Sequence, residues 1–324
     1  MLELANLDTL RCNDDIADWM ELHAFINGET LYSEVESVFE DNRDENESDI
    51  AYDAANIEND VNPIYNILAK RDMGLGDLYP FILDTDEIKI KENLEIDSYI
   101  YLFCLLISHL RNEGLLSTQA ALLTNTVRDL FQVVATAAAV GEVNPNGHAY
   151  CSGFPRPEHT CFLAMLRTVY SRIGSGIICA QLPQHERYVK DGGIDIIAWS
   201  TYQTGGVNHY LLGQVASGDN WDEKPVEANY FHRTFFTSYP AQSEHCIRAT
   251  FVPFLIGKDY RDSQDDYNSF IRSKEAIHGK IICRERLSSL AGSAINAIAG
   301  VENKENIIHR YSDFDKIKQW VDNL

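Results

Sequence analysis

Residues 191–224 read DGGIDIIAWSTYQTGGVNHYLLGQVASGDNWDEK, and the reading of the fold turns on them. A Gly-Gly pair leads into Asp195 and the apolar run 194–199; a second run, 207–216, carries Gln214 near its end, with Gly218, Trp221 and Lys224 behind it. Both runs are short and bounded by glycine or polar clusters, which predicts neighbouring strands. Gly192 and Gly193 permit a sharp turn and a close approach of backbone to a ligand just before the acid. A carboxylate between two isoleucines needs a hydrogen bond, a counter-ion or a metal. Strand alternation predicts Asp195, Ile197 and Trp199 on one face and Ile194, Ile196 and Ala198 on the other. Gln214 brings an amide oxygen to the second strand. One carboxylate with a carbonyl-type oxygen suits a hard cation such as Mg²⁺, which keeps several of its waters. An ion of that kind activates water and stabilises charge on a phosphate.

Outward from this stretch, GIICAQL (176–182), IRATFVPFLI (247–256) and GKIICRERL (279–287) are further β-type runs. Helical patterns cover 99–112 and 124–143, the latter with Val127, Leu130, Phe131, Val134 and Ala138 along one side. Gly141 and the NPNG cluster at 144–147 are expected to break the chain there. Further helices are predicted over 157–174, 225–239 and 287–299, and over 312–324 behind Ser312 as a cap. The order of these elements predicts an α/β layered core preceded by a helical region. The expected division is 1–115, acidic and mainly helical, and 116–324, carrying the strands and the C-terminal helices.

Charge constrains the partner. The 324 residues hold 27 basic and 49 acidic side chains, a formal net charge of −22. Phosphate binding depends on Lys and Arg displacing counterions, so this chain does not grip nucleic acid through its overall charge. A local basic surface or a partner subunit would have to do so. Residues 34–60 hold eleven of the acids and a single base, and their composition predicts a solvated, partly disordered segment or a patch that docks a partner or mimics DNA. The seven cysteines are odd in number and scattered, as reduced thiols packed as small hydrophobes would be. The opening residues lack the apolar core of a signal peptide, and the run at 99–110 is too short to span a bilayer. A cytoplasmic protein without a membrane partner is expected.

The pattern DGGIDII…GQVASGDNW resembles the Mrr-like branch of the PD-(D/E)xK nucleases, over roughly residues 120–290. The resemblance implies a restriction-endonuclease-like mixed sheet flanked by helices, and cleavage of DNA phosphodiesters with Mg²⁺ or Mn²⁺. It implies a role in restriction or anti-phage defence; the acidic surface adds recruitment by a partner such as a helicase or ATPase. Asp195 matches the family's strand acid and Gln214 its Glu-or-Gln position, so both are candidate metal ligands and catalytic residues. The family's lysine falls on Ala216; because that lysine migrates to the next helix in some members, Lys224 is the candidate, on a turn that Pro225 keeps non-helical. The family's glutamate from the preceding helix falls on Gln132, leaving Glu186 or Asp129 as the auxiliary acid. These departures also suit a second reading, a catalytically degenerate nuclease fold serving as a scaffold or DNA-mimicking subunit of a defence complex. Separately, His148, Cys151, His159 and Cys161 are compatible in kind with zinc, though their unlike spacings suit ordinary loop residues better. In 229–236 the aromatics are expected in the core, with Arg233 free to touch a phosphate, and the basic run 284–289 reads as a solvated strand end or a local basic patch.

Overall fold

The computed structural model describes residues 2–41, 50–111, 113–144, 146–153, 156, 161–182, 192–261 and 263–324; of residues 41 and 50–60 it describes the backbone alone. The chain forms two compact units, Met1–Thr124 with Trp320–Leu324, and Asn125–Gln319.

The first unit holds α1 (Asn13–Asn27), β1 (Glu29–Leu31), α2 (Tyr32–Asp41), α3 (Ile50–Leu75), β2 (Phe81–Leu83), β3 (Glu87–Ile90) and α4 (Ile96–His109). Its strands form an antiparallel sheet in the order β1-β3-β2, which the sequence reading lacks because strands of three or four residues show too little alternation. The acidic segment is more regular than its composition predicts. It is helical up to Asp41 and again from Ile50, and residues 42–49 lie outside the described ones. The apolar run 99–110 is the buried helix expected of it. Among the described residues, no helix is long and apolar enough to cross a membrane.

A buried charge network joins α1 and α3. Asp14, Asp18 and Glu21 recur at helical spacing on α1 and converge on Arg71. Arg71 Nη1 lies 2.8 Å from Asp18 and 3.0 Å from Glu21, and Nη2 lies 3.5 Å from Asp14. His109 reaches the second oxygen of Asp18 at 2.8 Å, and the Tyr79 and Tyr101 hydroxyls donate to Glu21. Charges this deeply buried persist only when paired and hydrogen-bonded.

The second unit runs α5 (Asn125–Glu142), β4 (Gly147–Cys151), α6 (Phe162–Ile173), β5 (Ile177–Ile178), β6 (Ile196–Thr201), β7 (Val207–Val215), α7 (Ala228–Phe235), β8 (Phe236–Ser238), β9 (Ile247–Phe251), α8 (Gln264–His278), β10 (Lys280–Ile282) and α9 (Arg284–Ala297). The chain closes on α10 (Phe314–Asp322), whose end counts with the first unit. Five strands form a mixed sheet in the order β10-β9-β7-β6-β4. β4, β6 and β7 pair antiparallel; β7, β9 and β10 pair parallel, with α7 between β7 and β9 and α8 between β9 and β10. Tyr150, Ile197, Trp199 and Leu212 pack under Phe162 and Leu166 of α6 and Phe231 and Phe235 of α7. Successive residues on a strand face opposite ways, so Cys151 leaves the other side of β4, where it meets Gln132 of α5.

Several local expectations shift. GIICAQL contributes only β5, which pairs with β8 in a separate ribbon. HAYC, read as loop, is the edge strand β4. Gly141 does not break its helix; it lies inside α5, where a Cβ would sit 2.3 Å from the Leu290 carbonyl, so it is the point of closest approach to α9. Residues 284–289 begin α9 rather than end a strand, and Arg284 is fully buried. Ser312 sits inside a 3-10 turn, Tyr311–Asp313, ahead of α10.

Candidate functional site

Asp195 lies one residue before β6, after Gly192 and Gly193 at φ 63° and 74°, a left-handed pair that glycine adopts readily. Its backbone ties three strands together. The N–H donates to the Gly213 carbonyl at 2.8 Å, and the carbonyl accepts from Ser152 N at 2.7 Å and Gly153 N at 3.1 Å. Because Asp195 precedes the ladder, the expected alternation does not pass through it, and Ile194 packs with Ile197 and Trp199 instead. Asp195 is 8% exposed. Its Oδ2 accepts from Gln214 Nε2 at 2.6 Å and from the Val215 N–H at 2.9 Å. The amide nitrogen of Gln214, rather than its oxygen, therefore faces the acid and fixes its orientation.

The other oxygen faces α5. A Cβ built on Gly153 would stand 2.9 Å from Asp195 Oδ1 and 2.1 Å from Gln132 Oε1, so these two oxygens flank one glycine. Gln132 Oε1 accepts from the Cys151 thiol at 3.3 Å, and Gln132 Nε2 lies 3.4 Å from Asp129 Oδ1. Burial pushes that thiol up to about 11, with Arg310 opposing and Asp129 and Asp195 adding, so at neutral pH it carries its proton and donates. Asp129 is clamped by Arg310 through two parallel bonds, 3.0 and 2.6 Å, and Arg310 Nε donates to Asp313 at 2.7 Å. Arg310 holds φ 66°, a conformation disfavoured without glycine, and the two carboxylates secure it there. Burial works against the guanidinium's charge, but the bonds from Asp129 and Asp313 outweigh it and hold its pKa above the ordinary value. Asp313 follows the same balance: burial raises its pKa, while Lys316 and Arg310 together hold it below the usual range.

This chain of contacts forms the wall of a cavity of about 600 Å³ lined by Asp129, Tyr150, Arg156, Thr168, Arg172, Glu305, Asn306, His309, Arg310, Ser312, Asp313 and Lys316. Four cations face three carboxylates here, in a chain whose formal charge is −22. The carboxylates are engaged: Asp129 by Arg310, Asp313 by Arg310 and Lys316, and Glu305 by the backbone N–H groups of Tyr311 and Ser312. Arg172 donates to the Asn306 carbonyl and lies over Trp199, and makes no ion pair among the described residues. Arg156 donates to the Ser152 carbonyl, and the Ser152 N–H donates to the backbone carbonyl of Asp195, which links this cavity residue to the acid's strand.

The structure thus brings Asp195, Gln214 and Gln132 together. Lys224 follows a 3-10 turn, Trp221–Glu223, in the non-helical conformation that Pro225 predicts. Its side chain is exposed and makes no ion pair among the described residues, while its carbonyl is turned toward His278. His278 leads into β10, three places from β6 in the sheet. Ala216 is buried against Val252, Phe254 and Ile281, a setting that would strip water from a lysine. Glu186 and His159 lie outside the described residues. His148 stacks on Trp199 and bonds the Asn306 carbonyl on the opposite face from Cys151, so those two cannot share a zinc ion. Cys161 is exposed at the start of α6, and among the described residues no three His, Cys, Asp or Glu side chains group as metal ligands. In 229–236, Phe231, Phe235 and Phe236 are core, and Arg233 is exposed.

Sequence reasoning did not find Arg310, Arg156 or Arg172. Arg310 meets its partner Asp129 across 181 residues, and no local pattern announces that pairing. Comparison of the chain with protein-family models, curated proteins and solved structures finds no match.

Proposed function

We propose that this chain is a metal-dependent DNA endonuclease of the restriction-endonuclease-like kind, working in phage defence or restriction and brought to DNA by a partner such as a helicase or ATPase. The observation that carries the reading is Asp195, a buried carboxylate fixed by Gln214 and Val215 at a strand end and set beside Gln132 and a cationic cavity. The architecture supports it, since a mixed sheet flanked by helices is what the resemblance implies. The donor set also fits a hard cation, with a carboxylate oxygen and an amide oxygen both within 3 Å of the position a Cβ on Gly153 would take. Asp195 and Gln132 would hold Mg²⁺ or Mn²⁺, and Gln214 would hold Asp195. The ion, when bound, supplies an activated water and charge stabilisation for phosphodiester hydrolysis. Arg156 and Arg172 meet the phosphate charge from the cavity side, the task expected of Lys224.

One observation favours the second reading, a degenerate nuclease fold that docks or mimics DNA: among the described residues, no three His, Cys, Asp or Glu side chains group as metal ligands. Incubation of purified protein with supercoiled plasmid and single-stranded DNA in Mg²⁺, Mn²⁺ or EDTA separates the two, run beside Asp195→Ala and Lys224→Ala and repeated with the co-purified complex. Metal-dependent nicking lost in Asp195→Ala and kept in Lys224→Ala supports the enzyme as described. Nicking lost in both returns the lysine to the site. No nicking even by the complex leaves the scaffold.

A further inference from the structure

The cavity beside Asp195 is larger than a phosphate needs. At about 600 Å³ it falls in the range of small-molecule sites, which are commonly 300–1,000 Å³. Its chemistry has two halves. One is cationic: among the described residues Arg172 meets a carbonyl and a ring face and makes no ion pair, and Arg156 donates to the Ser152 carbonyl. The other is aromatic and polar, with Tyr150 and His309 stacked at 3.8 Å between centroids and the Thr168 hydroxyl nearby. An anion alone would leave the second half unused, and an apolar ligand would leave Arg172 unmatched.

We propose that this cavity binds a nucleoside 5′-phosphate, with the phosphate on Arg172 and Arg156 and the base toward Tyr150 and His309. Guanidinium groups suit phosphate oxygens by their fork geometry, and the rims of the mutually stacked, largely buried Tyr150 and His309 rings leave a base edge contact rather than a stacking face. The choice of a nucleotide among organic anions rests on the nuclease reading of Asp195; the cationic half of the site does not. The ligand is either the terminal nucleotide of a DNA strand or a free nucleotide.

Calorimetric titration in EDTA, where no metal-dependent turnover occurs, tests this on the full chain. The probes are dAMP, deoxyadenosine, inorganic phosphate, and a dT12 oligonucleotide with and without a 5′-phosphate. The wild type is expected to bind dAMP, and Arg172→Ala to weaken it at least tenfold with an unchanged melting temperature. Displacement of dAMP by phosphorylated but not unphosphorylated dT12 assigns the site to strand ends; its failure with dAMP still bound assigns it to a free nucleotide. Absence of dAMP binding at millimolar concentration overturns the proposal, as does binding indifferent to Arg172→Ala. Inorganic phosphate or deoxyadenosine binding as well as dAMP overturns the nucleoside phosphate specifically. A chain that binds dAMP but cuts no DNA keeps this site and loses the nuclease.

Discussion

Gly153→Ala places a methyl between the two oxygens that the account assigns to a cation. The new carbon would stand 2.1 Å from Gln132 Oε1 and 2.9 Å from Asp195 Oδ1. Ordinary C···O approach is about 3.3 Å, so Gln132 must retreat by roughly 1.2 Å and Asp195 by about 0.4 Å. Gln132 can move, because its amide is the end of a flexible side chain held, among the described residues, by Cys151 at 3.3 Å and Asp129 at 3.4 Å. Asp195 cannot follow easily, since Gln214 and Val215 pin its other oxygen. Losing two weak hydrogen bonds costs about 1–2 kcal/mol, roughly 2–8 °C in melting temperature for a unit of this size. Misplacing a reacting group by about 1 Å costs on the order of 10² in rate. The assay pairs thermal unfolding with Mg²⁺-dependent plasmid nicking. The expected result is a small fall in melting temperature with activity down about a hundredfold. Wild-type activity alongside the expected melting shift would refute the placement of the chemistry between Asp195 and Gln132.

Three further outcomes follow from the buried charges. Arg71→Met leaves Asp14, Asp18 and Glu21 without their shared cation and is expected to cost about 3–5 kcal/mol, read by urea unfolding of the first unit. Arg310→Met strips Asp129 of its two guanidinium bonds and leaves Asp313 with Lys316 alone, and should cost about 2–4 kcal/mol at pH 7; part of that deficit disappears as pH falls and Asp313, held below the usual range by Lys316 and Arg310, takes its proton. Burial lowers His232 from 6.5 to about 4, so its neutral form belongs to the folded state; stability is full above pH 6.5 and falls as pH drops through 4. His232→Gln should flatten that slope in unfolding measured between pH 7 and 4, and an unchanged slope would place its cause elsewhere.

What was legible in the sequence was the part written in periodicity. The runs around Asp195 and Gln214 are β6 and β7, and the Val127–Ala138 stripe is the buried side of α5. Lys224 sits non-helically before Pro225 because sterics at that dipeptide are local. The rest depended on contacts that periodicity does not encode. Gly141 looks like a breaker because glycine is a poor helix former, yet it marks where two helices touch. The five residues of β4 carry too few alternations to separate a strand from a loop, and with β4 went the pairing that brings Cys151 and Gly153 to Asp195. Gln132 was marked as a departure from a glutamate; its value at the site comes from Gly153, which no spacing rule connects to it. The cationic cavity draws Arg156, Arg172 and Arg310 from distant segments of a strongly acidic chain, so overall composition pointed away from it.

Anomalous diffraction from crystals grown in Mn²⁺ tests the central claim most directly, with Asp195→Asn as the control that retains an oxygen for Gln214 and Val215. The account predicts one strong manganese peak against Asp195 and Gln132 in the wild type and its loss in Asp195→Asn. A wild type without density there, or a peak that survives the substitution, would contradict it.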